Sequence, residues 1–316
     1  MPNSNFPGGF PFGVTVRGLS LLNTYPGKVF WVDSNGGSNQ NKGTFDRPFD
    51  TIDYAVGRCT ADNGDIIMVK AGHVETVTAA AGLDLDVAGI SIIGLGNGTN
   101  RPQIDFTTAV GADMDVDAAN ITVANLRFTG GIDALTGPID INAANFSMFG
   151  CVTQDVTGQA VDWIVADGGA DYLRISDWTH YGDVSVGGSG ADTAFTIAGA
   201  DYWVIENFDI HGNFTVAAIE NTAASVSMRV GGGSRMNFVR NVLDAASPVI
   251  VTLHASTTGM VGPNIYVRLG IDATSNGNNI TEAFVGAAAD FFQPLAITNA
   301  GGETALNSNI TAVADN

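Results

Sequence analysis

The sequence predicts an all-β fold, a single-stranded right-handed parallel β-helix, and three observations lead to this prediction. A short block of alternating apolar residues returns five times along the chain. A Gly, Asn or Asp stands at the same place in every block. Charged residues make up only 14% of the chain while glycine occurs 40 times, so neutral turns are common and the Glu/Lys pairs of surface helices are scarce.

Each block places two apolar residues on one strand, then a corner, then further apolar residues on the next strand. The blocks are Ile90-x-Ile92-x-x-Leu95, Ile121-x-Val123-x-x-Leu126-x-Phe128, Phe146-x-Met148-x-x-Cys151, Leu173-x-Ile175-x-x-Trp178 and Trp203-x-Ile205-x-x-Phe208-x-Ile210. Their first residues lie 31, 25, 27 and 30 positions apart. Because side chains alternate between the two faces of a strand, we expect these five first residues to form a vertical stack inside the coil.

The residue at each corner belongs to a type that adopts the left-handed backbone conformation at low cost. These residues are Gly94, Asn125, Gly150, Asp177 and Asn207. A hairpin meander does not explain a pattern that returns in parallel, whereas a solenoid stacks each turn on the last. Leucine-rich and ankyrin repeats fit worse, because no helical half-repeat lies between the strands.

The chain divides into three parts. Residues 1–28 are predicted to form an extended N-terminal arm. Residues 29–245 hold the β-helix, with an opening segment and cap at 29–77 that includes a short amphipathic helix near 49–60. Residues 246–316 lose the repeat, and we predict a β-rich C-terminal cap, a subunit-contact region, or both, because a solenoid needs its open end covered.

The arm is rich in Pro, Gly and Asn, so it cannot build a core of its own, and it contains no Asp or Glu. We predict that it becomes ordered on another surface; the alternative is an arm folded back on its own domain. The predicted contact residues of the arm are Phe6, Phe10, Phe12, Arg17, Leu19 and Leu21. Those of the C-terminal region are Phe291, Phe292 and Leu295.

Charge and cysteine content exclude several classes of protein. Thirteen Lys and Arg against 32 Asp and Glu give a net charge of −19, which argues against a phosphate-binding surface and hence against nucleic acid as a partner. The first residues lack the basic and apolar pattern of a secretory signal, and no apolar run predicts a membrane span. Cys59 and Cys151 lie far apart and are expected to be free, buried thiols.

Carboxylates are the first candidates for chemistry, since glycosidases work with pairs of them. The candidates are Asp113, Asp115, Asp117, Asp140, Asp167, Asp171 and Asp183. The first three alternate along one predicted strand, so they should face solvent while Met114 and Val116 point inward. That arrangement could gather calcium, but calcium takes about six to eight oxygens from several segments. A solvated acidic face is the simpler interpretation.

Other motifs match enzyme patterns only in fragments. The β-helix enzymes that cut polysaccharides carry Asp pairs, a Gly-His-Gly and an Arg-x-Lys element on successive turns. Here Ile210-His211-Gly212 and Arg174-Ile175-Ser176 match them only in part. The histidines, which are His73, His180, His211 and His254, lack the spacing of zinc ligands. We therefore expect no enzyme, no catalytic residue, no cofactor and no metal site.

The opening segment carries a resemblance to known proteins. Its order is a strand, a Gly-rich loop, a Pro-Phe pair, a short helix and a Gly-Asp turn, as in Phe30-Trp31-Val32-Asp33, Asn35-Gly36-Gly37, Arg47-Pro48-Phe49, Thr51-Ile52-Asp53-Tyr54-Ala55 and Asn63-Gly64-Asp65. This order resembles the start of pectin-lyase-like right-handed β-helices, in which the helix caps the coil. Over residues 14–105 the chain looks like β-helix structural proteins of tailed-bacteriophage virions.

That resemblance implies a decoration (cement) protein on the capsid exterior, with the major capsid protein as its partner and a homotrimer as its assembly. It implies neither a nucleic-acid nor a membrane partner. The alternative is a phage tail fibre or tailspike that binds or cleaves a host polysaccharide, with a host glycan as partner. A cell-surface adhesin is a third interpretation.

Overall fold

The computed structural model describes residues 27–182, 191–232, 237–241, 249–262 and 265–269, together with four two-residue strands. The chain coils through three parallel sheets and visits them in the same order on every turn. In these residues the first sheet contains strands Val29–Val32, Ile66–Val69, Ser91–Gly94, Thr122–Ala124, Ser147–Phe149, Arg174–Ser176, Val204–Glu206, Met228–Val230 and Gly259–Val261. The predicted parallel β-helix is confirmed.

The second and third sheets complete the coil. The second sheet contains strands Val74–Val77, Gln103–Phe106, Arg127–Gly130, Val152–Asp155, Thr179–Tyr181, Asp209–Gly212, Asn237–Asn241, Ile265–Leu269 and Ala296–Ile297. The third contains strands Leu83–Asp84, Met114–Val116, Leu135–Ile141, Ala160–Ala166, Thr193–Ala198, Ala217–Ala223, Val249–Thr252 and Phe284–Val285. Strands Thr15–Val16 and Leu19–Ser20 pair with each other antiparallel.

The repeat read from the sequence sets the register of the first sheet. Val123 pairs with Ile92 on one side and Met148 on the other, so equivalent block positions lie directly above one another. The five first residues of the blocks are each at most 1% exposed, and each precedes a first-sheet strand. The predicted lumen stack is therefore confirmed. Burial of such side chains stabilises the coil by roughly 1.5–3 kcal/mol each.

Four of the five predicted corner residues have left-handed backbone angles, with φ of 57° at Asn125, 60° at Gly150, 53° at Asp177 and 54° at Asn207. Gly94 differs, because its φ is not positive. A Cβ there would lie 2.3 Å from the carbonyl oxygen of Asn125, so glycine is required by close approach of the next turn.

A second left-handed corner, between the third and first sheets, was missed in the sequence. On six successive turns, the residue just before the inward residue that opens the first-sheet segment has a φ between 57° and 73°. These residues are Gly89, Asn120, Asn145, Tyr172, Tyr202 and Ser227. Gly and Asn suit this conformation, whereas tyrosine is uncommon in it.

The opening segment contains a helix at Ile52–Val56, shorter than the predicted 49–60. The Thr51 side chain accepts a hydrogen bond from the Tyr54 amide at 3.3 Å, and the Glu75 carboxylate accepts one from the Ile52 amide at 2.8 Å. These bonds satisfy amides that a helix start leaves without partners. The helix buries Ile52, Ala55 and Val56 against the first strands of the coil.

Most of the predicted contact residues lie outside the described residues. This holds for Phe6, Phe10, Phe12, Arg17, Leu21, Phe291, Phe292 and Leu295, and only the backbone of Leu19 is described. The three-part domain division stays a prediction. Cys151 is buried and Cys59 half-buried, and both are free thiols as predicted. Among the described residues, no helix is long and apolar enough to cross a membrane.

Candidate functional site

The outer face of the third sheet carries three aspartates stacked in register. Asp84 pairs with Asp115, and Asp115 pairs with Asp140, on three successive strands. We call these three residues the acidic ladder. Met114 and Val116 are fully buried on either side of Asp115, so the predicted alternation of this strand is confirmed. Neighbouring strands are about 4.8 Å apart, so the three aspartates follow one another up the same face of the sheet.

A second polar column lies two residues further along the same strands. It consists of Asp86, Asp117, Asn142 and Asp167. The Asn142 side-chain amide donates to Asp115 Oδ1 at 2.8 Å and to Asp117 Oδ1 at 3.3 Å. One side-chain nitrogen of Asn142 therefore donates hydrogen bonds to two carboxyl groups of the same strand.

Burial and like charge change the proton affinity of the ladder. Burial, followed by the charge of Asp117, raises the pKa of Asp115 to about 6. Burial also raises the pKa of Asp140 and, together with neighbouring aspartates, the pKa of Asp84. A carboxyl group that titrates near neutral pH can hold a proton and give it to a ligand, as a general acid does.

The remaining carboxylate candidates from the sequence lie outside the acidic ladder and the second polar column. Asp113 accepts a hydrogen bond from the Ala81 amide at 2.5 Å, beside the ladder. Asp171 accepts one from the Asp201 amide at 2.7 Å and thereby ties two turns together. Asp183 lies outside the described residues. No group of three or more metal-ligating side chains with suitable geometry is found in the part of the chain that the structure describes.

The outer face of the first sheet carries an ion-paired cluster. Glu206 receives hydrogen bonds from Arg174, one strand below, and from Arg229, one strand above, the latter at 2.5 Å. We call these three residues the arginine cluster. The Glu206 side chain is only 7% exposed, whereas the two arginine side chains are 53% and 39% exposed.

Two tyrosines border this sheet at the left-handed corner. The rings of Tyr172 and Tyr202 are stacked, with centroids 4.9 Å apart and an interplanar angle of 7°. Both side chains are largely exposed. Each follows an aspartate of the repeated Ala-Asp-Tyr, and those carboxylates bind main-chain amides of the next turn: Asp171 the Asp201 amide and Asp201 the Val226 amide, both at 2.7 Å.

The histidines are scattered over the coil. His180 is buried in the lumen, where burial lowers its pKa to about 3, and its Nδ1 lies 2.9 Å from the Thr153 hydroxyl. His73 is buried beside Glu75, and His254 is exposed. His211 lies on the outer face of the second sheet, 2.6 Å from Asp209. The enzyme-like fragments around His211 and Arg174 therefore lie on different sheets.

Sequence reasoning found Asp113, Asp115, Asp117 and Asp140 but not their stacking, and it missed Asp84. The spacing of these aspartates in the sequence could have indicated the stacking. Asp84, Asp115 and Asp140 are 31 and 25 residues apart, the same spacings that separate Ile90, Ile121 and Phe146. The tyrosine pair could have been noticed through the repeated Ala-Asp-Tyr, although nothing in the residue type indicated a left-handed backbone.

Comparison with known proteins gives a likeness of fold. No protein-family model matches the chain, and no curated protein sequence matches it. A solved GH136 lacto-N-biosidase from Eubacterium ramulus superposes with a TM-score of 0.51 and 13% identity, covering 76% of this chain and 56% of that protein. This chain thus spans little more than half of that protein. A solved rhamnogalacturonan lyase superposes with a TM-score of 0.39 and 14% identity, covering 89% of this chain and 90% of that protein.

The expectation that the chain is not an enzyme is contradicted, because a solved structure with a similar fold is a glycoside hydrolase. The sequence was searched for contiguous motifs, whereas a coil brings together residues that are one turn apart. Nothing in the comparisons indicates a phage origin. The chain is a parallel β-helix with a fold like that of a glycoside hydrolase.

Proposed function

We propose that this chain binds a polysaccharide on its outer surface and hydrolyses glycosidic bonds with carboxyl groups of the acidic ladder. The observation that carries the proposal is the pKa of Asp115, raised to about 6 in the middle of the ladder. A carboxyl group with a pKa close to the working pH can deliver its proton to a leaving oxygen. The fold likeness to a lacto-N-biosidase supports the same class of reaction.

In this proposal Asp115 protonates the leaving glycosidic oxygen while a second carboxylate attacks the anomeric carbon. Water, activated by the deprotonated Asp115, then hydrolyses the glycosyl-enzyme ester and frees the second carboxylate. Asp117 is suited to the second role, since it lies two residues away on the same face and shares the Asn142 amide. Because one Asn142 nitrogen bonds both carboxylates, at 2.8 and 3.3 Å, their bonded oxygens can be no farther apart than these two lengths combined. This separation suits a retaining glycosidase, whose carboxyl groups are about 5–5.5 Å apart, better than an inverting one, whose carboxyl groups are roughly 6.5–9.5 Å apart.

The test is release of reducing ends from a panel of purified polysaccharides. The variant Asp115→Asn should lower kcat/KM by about 100-fold or more, the usual worth of a general acid. Asp46→Asn is the matched control, because Asp46 is exposed in the opening segment and should leave the rate unchanged. Absence of hydrolysis by the wild-type chain, or full activity of Asp115→Asn, contradicts the proposal.

A place on a tailed-phage virion is a second proposal, and the resemblance of residues 14–105 supports it. The chain would be a homotrimeric decoration protein bound to the major capsid protein, or a tail fibre or tailspike whose polysaccharide is a host glycan. The test adds the full chain and a chain beginning at Val29 to undecorated heads. If the chain is a decoration protein attached by its arm, the full chain should bind and the shortened chain should bind less. Equal binding by both chains would show that the arm is not the site of attachment. If the full chain does not bind, the decoration role is rejected.

A further inference from the structure

The stacked tyrosines at the third-to-first-sheet corner have an unusual backbone conformation. Tyr172 and Tyr202 have φ of 60° and 59°, in a region where bulky residues are uncommon. The equivalent residues of the neighbouring turns are Asn145 below and Ser227 above, which fit the same corner with short side chains. Strain of this kind persists where the side chain is useful, so it points to a role for the two rings.

The rings present a surface that a ligand can cover. The two residues are 55% and 45% exposed, and no further ring continues the stack at Asn145 or Ser227. A nearly parallel pair with centroids 4.9 Å apart leaves its outer faces and edges open. Such flat faces accept the C–H groups of a pyranose ring, because the face of an aromatic ring is electron-rich.

Polar groups beside the rings can satisfy sugar hydroxyl groups. Arg174, two residues after Tyr172, is about half exposed and has more N–H donors than its bond to Glu206 uses. Asp171 and Asp201 each have a second carboxylate oxygen besides the one that accepts a main-chain amide. Donors and acceptors are thus mixed around one apolar face, which suits vicinal hydroxyl groups.

The charge around the two rings determines which class of sugar can bind to them. The chain has a net charge of −19, and the acidic ladder lies on the adjoining sheet, so a polyanion is repelled from this side of the coil. Within the corner itself the two aspartates and Glu206 outnumber the charge of the two arginines. An uncharged glycan meets no such penalty.

We propose that Tyr172 and Tyr202 form a binding platform for an uncharged pyranose unit of a polysaccharide, with Arg174, Asp171 and Asp201 as hydrogen-bonding partners. The inference rests on the proposed polysaccharide activity and names its substrate class. Tyr172 lies five residues after Asp167, which follows the end of strand Ala160–Ala166, so a polysaccharide bound here can continue across the corner toward the second polar column.

The test measures binding of neutral polysaccharides (dextran, galactan, xylan) and of anionic ones (polygalacturonate, dextran sulfate) by affinity electrophoresis and calorimetry. The double variant Tyr172→Asn, Tyr202→Asn removes both rings yet keeps a residue type that the corner already accepts at Asn120 and Asn145. It should weaken binding of the neutral ligand by about tenfold or more, since stacking contacts of this size are worth about one decade in affinity. Arg174→Gln should weaken it less.

The matched control is Tyr181→Asn, which removes an exposed tyrosine from the second sheet and should leave affinity unchanged. All binding is measured in an Asp115→Asn background, so the result does not depend on hydrolysis. If the wild-type chain hydrolyses no polysaccharide but the double variant still loses binding, the platform is supported and the proposed hydrolysis is rejected. Unchanged affinity of the folded double variant, binding of polyanions alone, or absence of binding to every neutral polysaccharide overturns the platform.

Discussion

The acidic ladder and the arginine cluster are built by the same stacking of strands, and they differ in what the stacking brings together. In the third sheet, turns 31 and 25 residues apart place Asp on Asp on Asp. In the first sheet, Arg174, Glu206 and Arg229 follow on successive strands, so a carboxylate lies between two guanidinium groups. The third sheet therefore brings negative charges close to one another, whereas in the first sheet two arginines neutralise the negative charge of Glu206. A coil makes vertical neighbours of residues one turn apart, and those neighbours decide the pKa and the stability contribution of each charge.

The comparison predicts that removal of one carboxylate has opposite effects on the two faces, and the larger effect belongs to the arginine cluster. Glu206→Ala should lower the free energy of unfolding by about 1–3 kcal/mol, since a nearly buried carboxylate loses two charge-assisted hydrogen bonds while the exposed arginines can still be hydrated. Urea denaturation followed by circular dichroism measures the change.

Glu206→Gln serves as the control for this variant, because it keeps the shape and one acceptor and should cost less. A Glu206→Ala protein as stable as the wild type would show that solvent already screens the cluster.

On the acidic ladder, Asp115→Asn should raise the free energy of unfolding at pH 7 by about 0.5–1 kcal/mol, after allowance for screening by solvent. The charged form of Asp115 is disfavoured in the folded chain by burial and by Asp117, and asparagine removes that charge. The same variant should lose activity if the proposed hydrolysis is right, a trade of activity for stability that functional sites commonly show.

Asp46→Asn provides the comparison for this gain, since Asp46 is exposed and lies away from the ladder. If Asp115→Asn is less stable than the wild type at pH 7, its hydrogen bond with Asn142 outweighs the repulsion.

The sequence was sufficient for the parts of the fold that repeat locally. Apolar alternation and Gly, Asn and Asp corners gave the lumen and the register of the first sheet, because burial selects residue type directly. Third-sheet strands were harder to place, since their loops vary and strand Leu135–Ile141 shifts its pairing between Thr136 and Ile139.

The candidate site was only half predictable for the same reason. Solvent-facing aspartates on one strand follow from alternation, whereas the pairing of Asp115 with Asp84 and Asp140 follows from the register of the third sheet. Glu206 and the tyrosine pair were missed because one is a buried charge held by two distant arginines and the other is a residue type that rarely takes a left-handed backbone. Residue preference alone indicates neither.

The pH dependence sharpens the contrast between the faces. The pKa of Asp115 is raised from its ordinary value of 3.8 to about 6, so between these values the folded chain binds more protons than the unfolded chain. Stability from this group is therefore present below about pH 4 and is lost as the pH rises through about 6. The stability gain of Asp115→Asn should accordingly vanish near pH 4 and be complete at pH 7. Denaturation curves at several pH values measure it, and a gain that does not change with pH would assign the effect to packing.

The smallest expected effect is the response to salt. The ladder is a cluster of like charges near the surface, and the screening length falls from about 10 Å at 0.1 M salt to about 3 Å at 1 M. Sodium chloride should therefore weaken the repulsion and stabilise the wild-type chain by a few tenths of a kcal/mol, roughly 0.2–0.5.

In the double variant Asp115→Asn, Asp140→Asn this increment should shrink, whereas in Glu206→Ala it should persist, because the ladder is intact there. Denaturation at low and high sodium chloride, with Asp46→Asn as control, separates these cases. An equal increment in the ladder variant and the wild type would show that the salt response arises from the net charge of the whole chain and not from the stacked aspartates.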